Sequence, residues 1–203
     1  MSNNFFEIKN ASFIASKLNK VLDFNLTIKK EGEIISKEQG SASSPDEFLA
    51  SLNHGLCHIL IKAGITMFSS AIYCVIDVDS GSLTLASAGH PMPILKNGSN
   101  YKLLDSGSSK TGTALGLVSV SDYEPTTIPL SDLDEIIFYT DGIYEVINAK
   151  NEELGLSKLI ELLNTDLHEK ESTIDNLSRI AKEHSHDQQF NDDVCLLGVC
   201  IKQ

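Results

Sequence analysis

The chain has 203 residues, 41% of them hydrophobic, which is enough for one well-packed core and offers no sign of a second. A formal charge of −12 argues against nucleic acid or an anionic membrane as partner, because phosphate-rich surfaces attract the opposite sign. No run of about 18 apolar residues exists, and the polar start Met1-Ser2-Asn3-Asn4 lacks the parts of a signal peptide, so a cytoplasmic protein with a protein or small-molecule partner is expected.

Taken in chain order, Phe13, Ile14, Leu18, Val21 and Leu22 recur at spacings of three and four and predict an amphipathic helix over Ala11 to Phe24. A polar, glycine-containing linker follows. Ser44-Pro45-Asp46-Glu47 then opens a second helix, with a serine cap, proline in the first turn and acids beside it. Its predicted apolar face is Phe48, Leu49, Leu52, Leu56, Ile59 and Leu60. Ser70 to Asp77 and Leu83 to Ala88 read as a β-hairpin turned by Asp79-Ser80-Gly81-Ser82.

Short strands are expected at Pro93 to Lys96 and Asn100 to Leu104, then a mobile Gly/Ser/Thr-rich loop that ends in Leu115-Gly116-Leu117. The prolines of Glu124 to Pro129 confine that stretch to a sheet edge. Ile136 to Tyr139 reads as a buried strand, Ser157 to Leu163 and Ile174 to His184 as helices, and Val194 to Ile201 as the last strand. Hairpins mixed with paired helices predict an α+β domain.

The four cysteines, Cys57, Cys74, Cys195 and Cys200, have no C-x-x-C spacing, and three lie in apolar runs, so buried free thiols are expected. Cys195 and Cys200, an odd number apart on one strand, point to opposite faces and cannot share a metal. His54 and His58 share a helix face but lack the acid of an H-E-x-x-H pattern. His184-Ser185-His186-Asp187 and His168-Glu169-Lys170-Glu171 read as polar connectors.

The chemistry gathers at two strand ends. Asp134 to Tyr139 runs an apolar strand into Thr140-Asp141-Gly142, where the rigid strand aims a carboxylate and the glycine permits a tight turn. Asn191-Asp192-Asp193 opens the last strand in the same manner. If the two ends meet, two carboxylates face one hard cation.

Together with Ser87-Ala88-Gly89-His90-Pro91 and Leu115-Gly116-Leu117, the stretch Tyr139-Thr140-Asp141-Gly142-Ile143-Tyr144-Glu145-Val146-Ile147-Asn148 and the pair Asp192-Asp193 resemble the SpoIIE-like branch of the metal-dependent type 2C serine/threonine phosphatases over about Ala11 to Ile201. The resemblance implies two packed antiparallel β-sheets flanked by helices, an αββα sandwich, with Mn²⁺ or Mg²⁺ at one end and water attacking a phosphoserine or phosphothreonine. It implies Asp141 and Asp192 as metal ligands, Asp193 as the secondary ligand beside them, Gly142 as the turn former, and Glu145 and Asn148 as braces of the loop. His90 reads as a hydrogen-bonded residue of the hairpin end, with a catalytic role as the sharper reading.

The family also takes carboxylates from a Gly-Asp element and an Asp-x-x-Gly-His-Gly element ahead of its first helix. Neither occurs in Met1 to Asn10, where Glu7 is the sole acid. Two close divalent ions repel strongly without a bridging carboxylate, so one weak site is expected. So is an N-terminally incomplete sandwich whose open edge and apolar face would be covered by an upstream segment, a partner or a second copy. The pattern fits a fragment, a misplaced start or a degenerate member. The expected function is a phosphatase acting on a phosphoprotein such as an anti-sigma antagonist in bacterial signalling; the alternatives are an inactive protein-binding module and an unrelated enzyme using His90 as acid or base.

Overall fold

Ser44 leads into a helix through the proline and acid pair that the sequence carries. Pro45 costs nothing in the first turn, where its missing N–H would have no intrahelical partner, and Asp46 and Glu47 meet the positive end of the helix dipole. This helix, α1 (Pro45–Ala63), ends at Gly64, whose left-handed backbone (φ 66°) returns its N–H to the Ile61 carbonyl. The Ser44 hydroxyl makes no cap bond; its carbonyl accepts from the Phe48 amide.

The computed structural model describes residues 7–16, 24–30, 33–36, 44–105, 111–166, 168 and 170–202, with side chains from residue 44 onward. Ten strands precede, separate and follow three helices: β1 (Glu7–Ser16), β2 (Phe24–Lys30), β3 (Glu33–Ser36), α1, β4 (Ala71–Asp77), β5 (Ser82–Ala88), β6 (Ile94–Asn97), β7 (Asn100–Leu103), β8 (Thr126–Pro129), β9 (Glu135–Tyr139), α2 (Leu156–Thr165), α3 (Thr173–His184) and β10 (Val194–Lys202). They form two five-stranded sheets, β1-β10-β9-β6-β7 and β3-β2-β4-β5-β8. All ladders between these strands are antiparallel except the parallel pairing of β2 with β4.

The helix predicted over Ala11 to Phe24 is corrected: Ala11 to Ser16 belong to β1, which pairs with β10 from Glu7↔Lys202 to Ser16↔Val194. Residues 17–23 lie outside the described residues. A long ladder to a distant strand outweighs a local spacing of three and four. With β1 beside β10, β2 beside β4 and β3 outside β2, strands occupy the N-terminal side of the sandwich where a gap was expected.

Side-chain alternation sorts the core into layers. Between the sheets lie Ile72, Cys74 and Ile76 of β4, Leu83 and Leu85 of β5, Ile136 and Phe138 of β9, and Val199 of β10. On the outer side of the first sheet, Ile137, Tyr139 and Leu196 pack under Leu159 and Leu163 of α2 and Ile174, Leu177 and Ile180 of α3. On the outer side of the second, Tyr73 and Val75 pack under Leu49 of α1, and Phe48 stacks on Tyr73 at 4.2 Å.

The inward face of α1 is Pro45, Leu49, Asn53, Cys57 and Leu60, while Leu52 and Ile59 are 44% and 63% exposed, so the predicted face is rotated. Asn53 explains the shift. Its amide donates to the Val118 carbonyl at 2.9 Å and its Oδ1 accepts from the Gly116 N–H at 2.8 Å, which is possible only with the side chain turned inward. These bonds and the Ser69–Leu115 bridge also anchor 115–118, in place of the mobile loop expected there; residues 106–110 lie outside the described residues. Cys57, Cys74 and Cys195 are buried thiols, as expected, and Cys200 is half-buried. Among the described residues no helix is long and apolar enough to cross a membrane.

Candidate metal centre at the paired ends of β9 and β10

All five residues of β9 are buried, so the chain reaches Thr140 with its direction set. β9 and β10 are antiparallel with Tyr139 opposite Leu196, and the end of one strand therefore abuts the start of the other. Thr140 clips the two together. Its N–H donates to the Cys195 carbonyl at 3.1 Å, its hydroxyl donates to the Asp193 carbonyl at 3.0 Å, and the same oxygen accepts from the Cys195 N–H at 2.8 Å.

Beyond this clip, Asp141–Ile143 form a single 3₁₀ turn. A Cβ on Gly142 would lie 2.6 Å from the Asp193 carbonyl oxygen, so any side chain there would push the two acidic segments apart. The Asp141 carbonyl accepts from the amides of Tyr144 and Glu145 at 3.0 and 3.1 Å, which folds Glu145 back over Asp141. One carboxylate oxygen of Asp141 accepts from the Gly142 N–H at 3.1 Å, and one of Asp192 accepts from the Asp193 N–H at 2.7 Å. Both side chains are thereby oriented by backbone amides.

The result is a cluster of Asp141, Glu145 and Asp192, each contributing one oxygen, with all three within 4.8 Å of one another. Oxygens about 2.1 Å from a Mg²⁺ or Mn²⁺ ion stand about 3 Å apart at adjacent octahedral positions and about 4.2 Å apart at opposite ones, so the spread fits one hard cation. The Asp141 and Asp192 side chains are half-buried and Glu145 is exposed. Asp193, expected as the secondary ligand, is outside the three-carboxylate cluster; its carbonyl holds Thr140 and it lines the neighbouring cleft. Glu145, read as a loop brace, is inside it. Asn148 does brace, its Oδ1 accepting from the amides of Lys150 and Glu152 at 2.9 and 3.0 Å.

A cleft of about 770 Å³ opens beside the acids, and its lining includes Phe68, Met92, Leu103, Thr140, Asp141 and Tyr144. His90 lies in its wall, 3% exposed, in a turn where the Ser87 hydroxyl donates to the His90 carbonyl at 2.7 Å and accepts from its N–H at 3.0 Å. Its Nδ1 is 3.2 Å from the Ser70 hydroxyl. Burial pulls the His90 pKa down to about 4, against the opposing pull of the Asp141 charge and a hydrogen bond to the Tyr139 backbone. Burial, then the charges of Asp141, Glu145 and Glu153, push the Tyr144 phenol up. Burial also pushes the Cys195 thiol in the cleft wall up to about 11.

The other sequence candidates stand apart from the cluster. His54 and His58 are exposed on α1. His184 Nε2 is 3.0 Å from the Glu152 carbonyl, and His186 pairs loosely with Asp187 at 3.7 Å. The i, i+4 spacing of Asp141 and Glu145 was the sequence signal for the third carboxylate; nothing local signalled the twofold use of the Thr140 hydroxyl.

The profile of the family described as Stage II sporulation protein E (SpoIIE) matches residues 20–202. Protein IcfG of Synechocystis sp. is 26% identical over 137 residues, 66% of this chain and 21% of that protein. Among solved structures, the SiaA-PP2C domain of Pseudomonas aeruginosa superposes with a TM-score of 0.58 at 15% identity, over 77% of this chain and 61% of that one. A bacterial serine phosphatase bearing an arginine-to-alanine mutation gives 0.54 at 16% identity, over 77% and 65%. The RsbU and RsbW domains of a Mycobacterium tuberculosis protein give 0.52 at 17% identity, over 96% and 61%. The chain thus spans about a fifth of the curated relative and under two thirds of each of these solved chains.

Proposed function

The chain belongs to the SpoIIE family, and from that membership we propose that it is a metal-dependent phosphatase domain, or the C-terminal part of one, that hydrolyses phosphoserine or phosphothreonine on a protein. The observation that carries this reading is the convergence of Asp141, Glu145 and Asp192 from two distant segments beside a cleft. These three would hold one Mn²⁺ or Mg²⁺ ion, with the Asp193 carbonyl accepting from the Thr140 hydroxyl beside them. When bound, the ion supplies Lewis acidity, which acidifies water and neutralises charge on the phosphoryl group.

The chain's own residues do the rest. The amides of Gly142 and Asp193 orient the two aspartates, and Phe68, Met92 and Leu103 give the cleft an apolar lining against which the substrate chain packs. Cys195, with its thiol pushed up to about 11 by burial, is not a thiolate at neutral pH, in keeping with a mechanism in which water is the nucleophile. The substrate is a phosphoprotein of cytoplasmic signalling, an anti-sigma antagonist being the class the family suggests, and not a nucleic acid.

Hydrolysis of a chromogenic phosphate ester with Mn²⁺ tests the proposal. Asp141→Asn and Asp192→Asn each lower turnover at least about 100-fold, and turnover equal to that of the unmodified chain overturns it. One observation favours a second reading, a regulatory module that binds a phosphoprotein without cleaving it. Among the described residues there is one cluster of three acidic side chains, enough for one ion. That module retains a phosphoprotein in pull-down and releases no phosphate at any Mn²⁺ concentration.

A further inference from the structure

The sheet that carries the acids ends in β7, and the free edge of that strand is closed at one residue and open two residues on. The turn at Gly98-Ser99 pairs Asn97 with Asn100, and the ladder to β6 then alternates. Asn100, Lys102 and Leu104 therefore turn their backbone groups toward β6, while Tyr101 and Leu103 turn theirs outward. The bonds agree with this. The Leu104 N–H donates inward to the Pro93 carbonyl at 2.9 Å, whereas the Tyr101 N–H donates outward to Asn164 Oδ1, and Asn164 Nδ2 to the Tyr101 carbonyl, both at 2.9 Å.

Asn164, on α2, thus blunts the edge at Tyr101, which keeps an exposed strand from templating another chain. Leu103 is left unblunted. Among the described residues β7 has no strand beyond it, and no side chain meets the outward N–H and carbonyl of Leu103 as Asn164 meets those of Tyr101. Leu103 is also 38% exposed and lines the cleft that opens beside Asp141. The length of the open edge decides its occupant: one residue is too little to join the sheets of two copies, but it fixes the register of a chain already held at the cleft by its phosphate. Ile94 pairs with both Leu103 and Ile137, so Leu103 stands about 10 Å across the sheet from Ile137, which lies about 13 Å of chain before Asp141. Together these distances span about five residues of extended chain.

We propose that the Leu103 edge of β7 receives an extended backbone segment of the phosphoprotein substrate, about five residues from the phosphorylated side chain. The Leu103 N–H donates to a substrate carbonyl, and a substrate N–H donates to the Leu103 carbonyl. Such pairing reads an extended backbone and not a side-chain sequence. The identity of the occupant rests on the phosphatase reading of the cleft; the open edge does not.

Fluorescence anisotropy of the full chain with Mn²⁺ tests this, using a labelled alanine-based peptide of about 13 residues with a non-hydrolysable phosphonate analogue of phosphoserine at its centre. The backbone amides of the peptide are N-methylated one at a time. One such peptide, methylated about five residues from the centre, binds about tenfold or more weakly than the parent, because it has lost the N–H that meets the Leu103 carbonyl. Peptides methylated on either side of that residue, whose N–H groups face away, bind within about threefold of the parent. On the protein side, Leu103→Pro removes the outward N–H without touching the β6 ladder, and it binds the parent peptide at least about threefold more weakly than Leu103→Ala, which keeps that N–H. Far-ultraviolet circular dichroism verifies that both variants keep their fold. Anisotropy reads binding alone, so the pattern is decided whether or not the chain releases phosphate, and failed hydrolysis counts against the phosphatase reading only. The proposal is overturned by peptides that all bind alike, by losses spread evenly along the peptide, by equal binding to the proline and alanine variants, or by no binding up to about 1 mM.

Discussion

The two outer faces of the sandwich use their helices differently. Under α2 and α3 the packing is two-sided: Leu159, Leu163 and Leu177 are fully buried, and the loops that carry Asp141 and Asp192 leave the same sheet. Under α1 the packing is one-sided, with the buried stripe facing the sheet and a second apolar stripe facing outward. The acids follow this division, converging at the end of the first sheet and absent from Phe48 to Ile76 of the second. The acidic cluster is therefore mounted on the face whose core is complete, where a strand end holds its position.

Substitutions in the two helix layers sharpen the contrast. Leu159→Ala removes a side chain with no exposed surface and leaves a cavity, costing about 3 kcal/mol in denaturant unfolding. Leu52→Ala on α1 costs under about 1 kcal/mol at micromolar concentration, because much of that surface is already in water. Equal costs would mean that the α1 flank is covered within the molecule.

His90 gives a second handle, at the seam between the sheets. Its folded pKa of about 4 lies below the ordinary 6.5, so between these values the unfolded chain binds the extra proton. Stability therefore rises with pH across that window, and the contribution is lost as pH falls toward 4. The span corresponds to about 3 kcal/mol at most. Urea midpoints rise less steeply from pH 4 to 7 for His90→Gln than for the unmodified chain; parallel curves would place the proton uptake elsewhere.

The parts of the fold that were legible in the sequence are those whose signal is local. β9 announces itself as an apolar run leading into acid and β10 as one opened by acid, and α1 shows through its proline and acids. Residues 11–16 mislead because Phe13 and Ile14 suit a helical stripe, whereas their partners, Leu197 and Leu196, lie at the other end of the chain. The rotation of α1 turned on Asn53, a polar residue that counts against an inward face until Gly116 and Val118 supply its bonds. At the candidate site the same rule holds. Asp141 and Asp192 were readable one strand at a time, but Glu145 becomes part of the cluster only once Asp192 has been brought against it.

A more modest loss than that at Leu159 bears most directly on that convergence. Thr140→Val keeps the shape of the side chain but removes an oxygen that both donates to the Asp193 carbonyl and accepts from the Cys195 amide. Two part-buried backbone groups lose their partner, at a cost of about 1–2 kcal/mol in global stability. The sharper consequence is local, since the Thr140 hydroxyl and the Thr140 amide tie the turn bearing Asp141 to the strand start bearing Asp192. With one tie left, the carboxylates hold a cation less well, and Mn²⁺ affinity measured by calorimetry falls about tenfold. Thr140→Ser keeps the hydroxyl and restores it. If valine and serine bind Mn²⁺ alike, the ladder between β9 and β10 suffices to bring the acids together and the clip is dispensable.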